Sequence, residues 1–329
     1  RILRAFRFAA QLEFILDDAT LTTISSQANN LKASAAERIA SEWLLLSGSA
    51  RCSPIVRIMD SSGLLESIFP EIHPMRSCGQ NAYHHLDVWE HSVLVFEQCE
   101  LIIENLQQFF QETTQQVEQI LRTGNCLPLL KTAALLHDVG KPETKGFDQS
   151  SGRITFYNHD AVGAACVEQI AKRLKLSNHD GQYLRTLVGE HLHALGLANP
   201  QVRKSTLIRW FREHGDWAVP CLILSMADIF GTKGEKSTRE ERDHHAKWAT
   251  EAVRDYLTDL RPYFNRSPLL TGKDLIALAL TPRPAIVDVL TLVAEARDDG
   301  ATSAKKISKS STWEYISETG KNKQDTDKN

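Results

Sequence analysis

The chain has no paired cysteine motif. Its six cysteines, Cys52, Cys78, Cys99, Cys126, Cys166 and Cys221, are scattered without a C-x-x-C among them. That excludes a disulfide framework and reads as reduced, mostly buried thiols of a cytoplasmic protein. Neither sign of charge is in excess: Lys+Arg 38 stands against Asp+Glu 41, a net −3. Whole-chain electrostatics therefore neither demands nor forbids nucleic acid, and any RNA contact needs a local basic patch. No apolar stretch approaches the length of a membrane span and no secretory signal opens the chain, so no membrane partner is expected. Alternating strand patterns are nearly absent, and so is any repeat of fixed period. At 329 residues and 42% apolar content, the chain is long enough for two or three packed units and is not generally disordered.

What is there is helical periodicity, and the fold class expected is all-α. Residue 1 is Arg rather than Met, and residues 1–12 read as mid-helix with nothing resembling an N-cap before them. The expectation is a fragment of something longer, or a trimmed chain. A turn at Asp17-Asp18 precedes a second helix, and Ser34-Ala35-Ala36-Glu37 fits a capping box for a third. Residues 54–68 read as one short helix, and 86–108 as one long amphipathic helix. Residues 143–153, rich in Gly, Ser and charge, read as an exposed loop, followed by a short extended piece at 154–157. A basic helix is expected over 202–213, an apolar one over 217–230 broken by Pro220, and a charged one from Ser237-Thr238 to about 260.

The chemistry concentrates at His137-Asp138, which closes the apolar run Leu129–Leu136 and is followed by Val139-Gly140-Lys141-Pro142. An imidazole and a carboxylate at the end of a buried helix are costly unless something compensates them, and a divalent cation does so. His91 lies upstream on the long amphipathic helix; His159, His191 and Asp228 lie downstream. Each has a plain alternative. His91 fits a satisfied core histidine, Asp228 a buried salt bridge, and His159 and His191 the wall of a pocket. His193 competes with His191, but residues two apart on a helix face different sides, so one of them is the ligand. If two ions bind, Asp138 is the natural bridge.

In order and rough spacing, His91, His137, Asp138 and Asp228 resemble the four core ligands of the HD superfamily of metal-dependent phosphohydrolases, which are all-helical. His159 and His191 match the extra histidines of its two-metal members. The resemblance implies one or two divalent ions (Mn, Ni, Co, Mg or Fe), with Asp138 and Lys141 as catalytic groups and the Lys141 ammonium on a phosphate oxygen. The alternative for Lys141 is a solvated lysine in a post-helix turn.

The flanks resemble a second family. Residues 1–14, Arg1-Ile2-Leu3-Arg4-Ala5-Phe6-Arg7 onward, are similar to the arginine-rich neck helix of bacterial tRNA nucleotidyltransferases (CCA-adding enzymes) and poly(A) polymerases. Glu37-Arg38-Ile39, residues 63–71, residues 268–275 and residues 278–282 continue the likeness, although Arg283 stands where family tails often carry Gly. The nucleotidyl-transfer apparatus is not seen: Gly48-Ser49 is followed by Ala50-Arg51-Cys52, not by Asp-x-Asp. The organisation implied is a neck and body over 1–78, an HD domain over 79–262, a helical tail over 263–310 and a disordered end over 311–329. Arg1, Arg4 and Arg7, with Arg203, Lys204 and Arg209 of the basic helix, are the candidate RNA or nucleotide contacts. Their alternatives are a salt-bridged helix face and a surface helix whose Trp210 and Phe211 pack inward.

Two functions follow as expectations. One is hydrolysis of a phosphodiester or phosphomonoester on a nucleotide or RNA end. The other is a tRNA-gripping module whose metal site is structural.

Overall fold

The computed structural model describes residues 2–80, 86–150, 152–232 and 238–265, with isolated positions at 271, 273, 276, 289, 290 and 293. The fold is mostly α. In chain order the helices are α1 (Ile2–Leu12), α2 (Asp18–Gln27), α3 (Ala36–Ser47), α4 (Ser53–Ser61), α5 (Leu64–Ile68), α6 (Val88–Glu104), α7 (Leu106–Phe110), α8 (Thr114–Leu121), α9 (Cys126–Leu136) and α10 (Lys141–Thr144). Then follow strands β1 (Lys145–Asp148) and β2 (Arg153–Phe156), and helices α11 (His159–Arg173), α12 (Asn178–Gly196), α13 (Lys204–His214), α14 (Ala218–Gly231), α15 (Arg239–Asp255) and α16 (Arg261–Phe264). Two compact units emerge: residues 1–199 with 216–257, and residues 200–215 with 258–329. The segments expected as neck/body and HD domain thus share the first unit up to 199, and the expected tail lies largely outside the described residues.

The core of the first unit is built on α9 and α14, which are buried nearly all round. A helix without a polar face must be surrounded. α6, α12 and α3 pack against α9, while α6, α12 and α15 pack against α14. The first helices are joined to this core by specific bonds. Trp43 Nε1 of α3 donates to Thr132 Oγ1 of α9 at 2.9 Å. Arg173 of α11 donates to the Ile68 carbonyl at 2.7 Å and to Glu71 at 2.9 Å.

Several local expectations are corrected. The single helix over 54–68 is two, because Gly63 at φ +73° takes a left-handed turn that L side chains rarely adopt. The long helix over 86–108 ends at Glu104; Asn105 leaves helical geometry (φ −113°, ψ 31°) and its amide donates to the Leu101 carbonyl. Ser34 does not cap α3, whose N-cap is Ala35 without a side-chain bond. Pro220 does not break α14: it is the third helical residue, where the missing N–H has no intrahelical partner to lose. The loop expected over 143–153 contains a strand, β1, which pairs antiparallel with β2, the extended piece expected near 154–157; Lys145 lies opposite Phe156 and Phe147 opposite Ile154. The charged helix opens with a capping box in which Thr238 is the N-cap and Glu241 reciprocates.

α15 is fixed on α14 by His245, whose Nε2 lies 3.0 Å from Ser225 Oγ in a buried contact. Burial pushes this imidazole down to about 4, below the 6.5 of an unfolded histidine. The unfolded chain therefore takes the proton first, and stability falls as pH drops from about 6.5 towards about 4. Between about pH 7 and about pH 5 this group should remove about 2 kcal/mol. Urea unfolding of wild type and His245→Gln at both pH values checks it, with a shallower pH dependence expected in the variant.

Candidate metal centre

The six side chains of the centre arrive on five segments, His137 and Asp138 together at the end of α9, because the apolar helices leave their polar residues nowhere else to go. α9 ends at His137, its C-cap, and delivers Asp138 into the turn that begins α10. His91 sits on the first turn of α6, His159 opens α11, His191 lies near the end of α12, and Asp228 lies in the last turn of α14. All six are buried, as is Lys141. Gly140 makes the turn possible. A Cβ there would fall on the His159 carbonyl oxygen and 2.6 Å from Gly163 N, both backbone atoms of α11. Gly140→Ala should therefore displace the start of α11, cost about 1–3 kcal/mol and weaken metal uptake at His159. Chemical denaturation together with metal content checks both effects.

The six groups converge. On one side of Asp138, His91 Nε2 lies 3.0 Å from Asp228 Oδ1 and 3.7 Å from Asp138 Oδ2. His137 Nε2 lies 3.1 Å from Asp138 Oδ2 and 3.7 Å from Asp228 Oδ1. On the other side, His159 Nε2 and His191 Nε2 lie 3.3 Å and 3.8 Å from Asp138 Oδ1. Two donor groups result, His91–His137–Asp138 and Asp138–His159–His191, each within 4.8 Å. Asp138 belongs to both and turns one oxygen to each. Lys141 Nζ closes the edge, 2.7 Å from Asp138 Oδ2 and 2.7 Å from Gln80 Oε1.

The ring orientations are set from behind. Nδ1 of His137, His159 and His191 each donates to the carbonyl three residues earlier, Ala134, Phe156 and Val188, at 3.0, 2.7 and 2.6 Å. A carbonyl only accepts, so Nδ1 carries a proton, and with an ion bound Nε2 would offer its lone pair to the cluster. Those atoms are left over: His137 Nε2, His159 Nε2, His191 Nε2 and Asp138 Oδ2 are buried without a hydrogen-bond partner. Asp138 Oδ2 does have the Lys141 ammonium 2.7 Å away as an ion pair. An unsatisfied buried polar atom costs about 1–3 kcal/mol, and three imidazole nitrogens left so on the two sides of Asp138 call for partners there. A divalent cation fits. Donors about 2.1 Å from one ion lie about 3.0–3.4 Å apart, close to the spacings seen, and an all-imidazole and carboxylate set suits Mn, Fe, Co, Ni or Zn.

Charge follows the same geometry. Burial would raise Asp138, but His137 and Lys141 outweigh it and hold its carboxyl well below the usual range. Burial likewise opposes the ionised Asp228, and the hydrogen bond to His91 with the His137 charge keeps it low. Burial pushes His137 down, yet Asp138 and Asp228 more than reverse this and its net direction is up. His191 is lowered to about 4 by burial first and by His137 second.

Other expected residues fare differently. His193 is exposed and bonded to Glu190 at 2.9 Å, so His191 is the one of the two that faces the cluster. Lys141 is not the solvated lysine of the plain alternative. Arg4 and Arg7 are both engaged on Glu42, at 3.1 and 2.7 Å, and Arg1 lies outside the described residues. Arg203, Lys204 and Arg209 are exposed on α13, in the second unit, whereas Trp210 and Phe211 are buried, as the packing alternative has it. Gln80 and Phe156 were not anticipated. The Phe156 ring lies 5.5 Å from Lys141 Nζ; neither residue belongs to a local motif that would mark it.

Comparison with known proteins gives consistent results. The profile described as "HD domain" matches residues 88–243, and that described as "Probable RNA and SrmB- binding site of polymerase A" matches residues 13–76. The A-adding tRNA nucleotidyltransferase of Deinococcus radiodurans is 32% identical over 97% of this chain and 68% of its own length. The CC-adding tRNA nucleotidyltransferase of Thermus thermophilus is 30% identical over 93% of this chain and 64% of its own. The chain thus spans about two thirds of each. A solved CCA-adding enzyme (apo form I) aligns with TM-score 0.51 over 93% of this chain and 57% of that one, at 14% identity, and is a likeness of fold alone.

Proposed function

Since this chain belongs to the tRNA nucleotidyltransferase family, we propose that within it the His–Asp cluster hydrolyses a phosphate ester on a nucleotide or RNA end. The observation that carries this reading is the set of buried Nε2 atoms without hydrogen-bond partners, arranged on both sides of the Asp138 carboxylate. His91, His137, Asp138 and Asp228 would hold one divalent ion, and Asp138, His159 and His191 a second. Ions bound there supply Lewis acidity towards a phosphoryl oxygen and lower the pKa of water.

The chain's own residues do the rest. The backbone-anchored imidazoles hold the donor atoms in place before substrate arrives, so little reorganisation is needed. Lys141, fixed between Asp138 and Gln80, presents an ammonium at the cluster edge, where a phosphate oxygen would be charge-complementary. To test the reading, the purified chain is loaded with Mn, Ni, Co or Mg and assayed on nucleoside cyclic phosphates, nucleoside monophosphates and RNA 3′ ends. Activity is expected in wild type and not in His137→Ala/Asp138→Ala; equal behaviour of the two with every metal refutes it.

A second reading is supported by the match over residues 13–76 and by the relatives' names: the chain grips tRNA for nucleotidyl transfer performed elsewhere in the whole protein, which would be cytoplasmic. The exposed Arg203, Lys204 and Arg209 would contribute phosphate contacts. Titration of labelled tRNA at low salt tests it, with binding no better than an acidic control counting against it. The two readings are compatible.

A further inference from the structure

The β1–β2 hairpin is joined to the cluster by sequence and by contact. β1 follows α10, which begins with Lys141, and β2 ends at Phe156, two residues from the Asn158 that precedes α11 and His159. Phe156 touches both ends of the centre: its ring lies 5.5 Å from Lys141 Nζ and 6.5 Å from the His159 ring, and its carbonyl accepts from His159 Nδ1.

In an antiparallel pair, residues opposite one another point to the same face, as do residues two apart. The register therefore places Lys145, Phe147, Ile154 and Phe156 on one face, and Gly146, Asp148, Arg153 and Thr155 on the other. The first face is apolar and cationic, while the hairpin's one carboxylate within the strands, Asp148, lies on the reverse. Phe147 is 64% exposed on the first face. An exposed phenyl on a two-stranded hairpin adds nothing to a core, and its strip runs from solvent, through Ile154 and Phe156, to the ammonium of Lys141.

We propose that this face of the hairpin seats the nucleobase of the substrate, stacked on Phe147, while the neighbouring phosphate reaches Lys141 and the His–Asp cluster. The inference rests on the reading of that cluster as a phosphate-ester site and narrows its substrate to phosphates that carry a base. Three features select this occupant. The strip is continuous with the phosphate-binding edge, Lys141 and Lys145 complement a phosphate on either flank, and an aromatic face accepts any base through its π surface. Free nucleotide and RNA end share this chemistry, and separate arms of the experiment distinguish them.

The test measures equilibrium binding to the full chain, loaded with Mn, of adenosine 3′-monophosphate, of a short RNA with a 3′-phosphate, and of base-free ribose 5-phosphate. Phe147→Ala should bind the nucleotide, the RNA or both about tenfold more weakly. Ribose 5-phosphate should change less than about twofold, and Phe147→Trp should restore wild-type affinity. Because Phe147 is exposed, thermal unfolding should be unchanged. Unaltered binding of both base-bearing ligands by Phe147→Ala overturns the proposal, as does an equal loss for ribose 5-phosphate. Hydrolysis separates the two claims. If wild type cleaves esters but Phe147→Ala binds like wild type, the hairpin seat falls and the cluster reading stands. If the variant loses base-bearing ligands but wild type cleaves no ester, the seat stands and the hydrolytic reading falls.

Discussion

If the cluster is the proposed two-ion hydrolytic centre, Asp138→Asn should lower hydrolysis by at least about a hundredfold and leave the protein with at most one bound ion. The reason is positional. Oδ1 of Asp138 faces His159 and His191, Oδ2 faces His91 and His137, and both donor groups lose their shared charge in the amide. An amide also offers one oxygen rather than two, so one side of the centre meets an NH₂ group that cannot ligate. Removing the charge additionally leaves Lys141, buried and 2.7 Å away, without its carboxylate. Metal content by elemental analysis and turnover on the same preparation read both effects. His193→Ala is the control. That residue is exposed and held by Glu190, and its loss should leave metal content and rate unchanged.

The largest effect on stability should come from a second buried charge, carried by α9 itself. Lys131→Met should lower the unfolding free energy by about 3–5 kcal/mol, or roughly 10 °C in melting temperature. Lys131 is 2% exposed inside an otherwise apolar helix, and its ammonium donates to Glu100 Oε1 at 2.8 Å and to the Ser49 carbonyl at 2.6 Å. Glu100 in turn accepts from the backbone N–H of Cys52 and Ser53 at 2.8 and 2.9 Å, which closes the N-terminus of α4. One buried pair thus ties α6, α9 and the α3–α4 connection. Burial works against the Glu100 charge, and Lys131 outweighs it, so the carboxyl is held below its ordinary value. Without Lys131 that carboxylate is stranded. Lys131→Met/Glu100→Gln should recover part of the loss, because no charge then remains buried, and a double-mutant cycle in urea measures the coupling.

The difference between these two sites explains what could be read from the sequence. His137-Asp138 was legible because two polar residues interrupt a run of apolar ones with no local partner, and the same is true of Asp228 between Ala227 and Ile229. Lys131 interrupts the same run, yet its partner lies 31 residues upstream on another helix, where Glu100 looks like any charged helical residue. Gln80 is 61 residues from the Lys141 it accepts from, with no motif around it. Arg4 and Arg7 read equally as nucleotide contacts or as a paired face, and only the docking of α3, which brings Glu42, separates the two. The extended piece at 154–157 was legible, but its partner strand was missed because Gly, Ser and charged residues compose tight turns and open loops alike, and each strand is four residues long. That the cluster residues share one site is a tertiary fact, settled by the packing of α6, α9, α11, α12 and α14.

The account's central claim is most directly tested by anomalous diffraction from crystals of the chain grown with manganese. Two peaks are predicted, one between His91, His137, Asp138 and Asp228, the other between Asp138, His159 and His191. A map with manganese bound elsewhere and neither position occupied would contradict it.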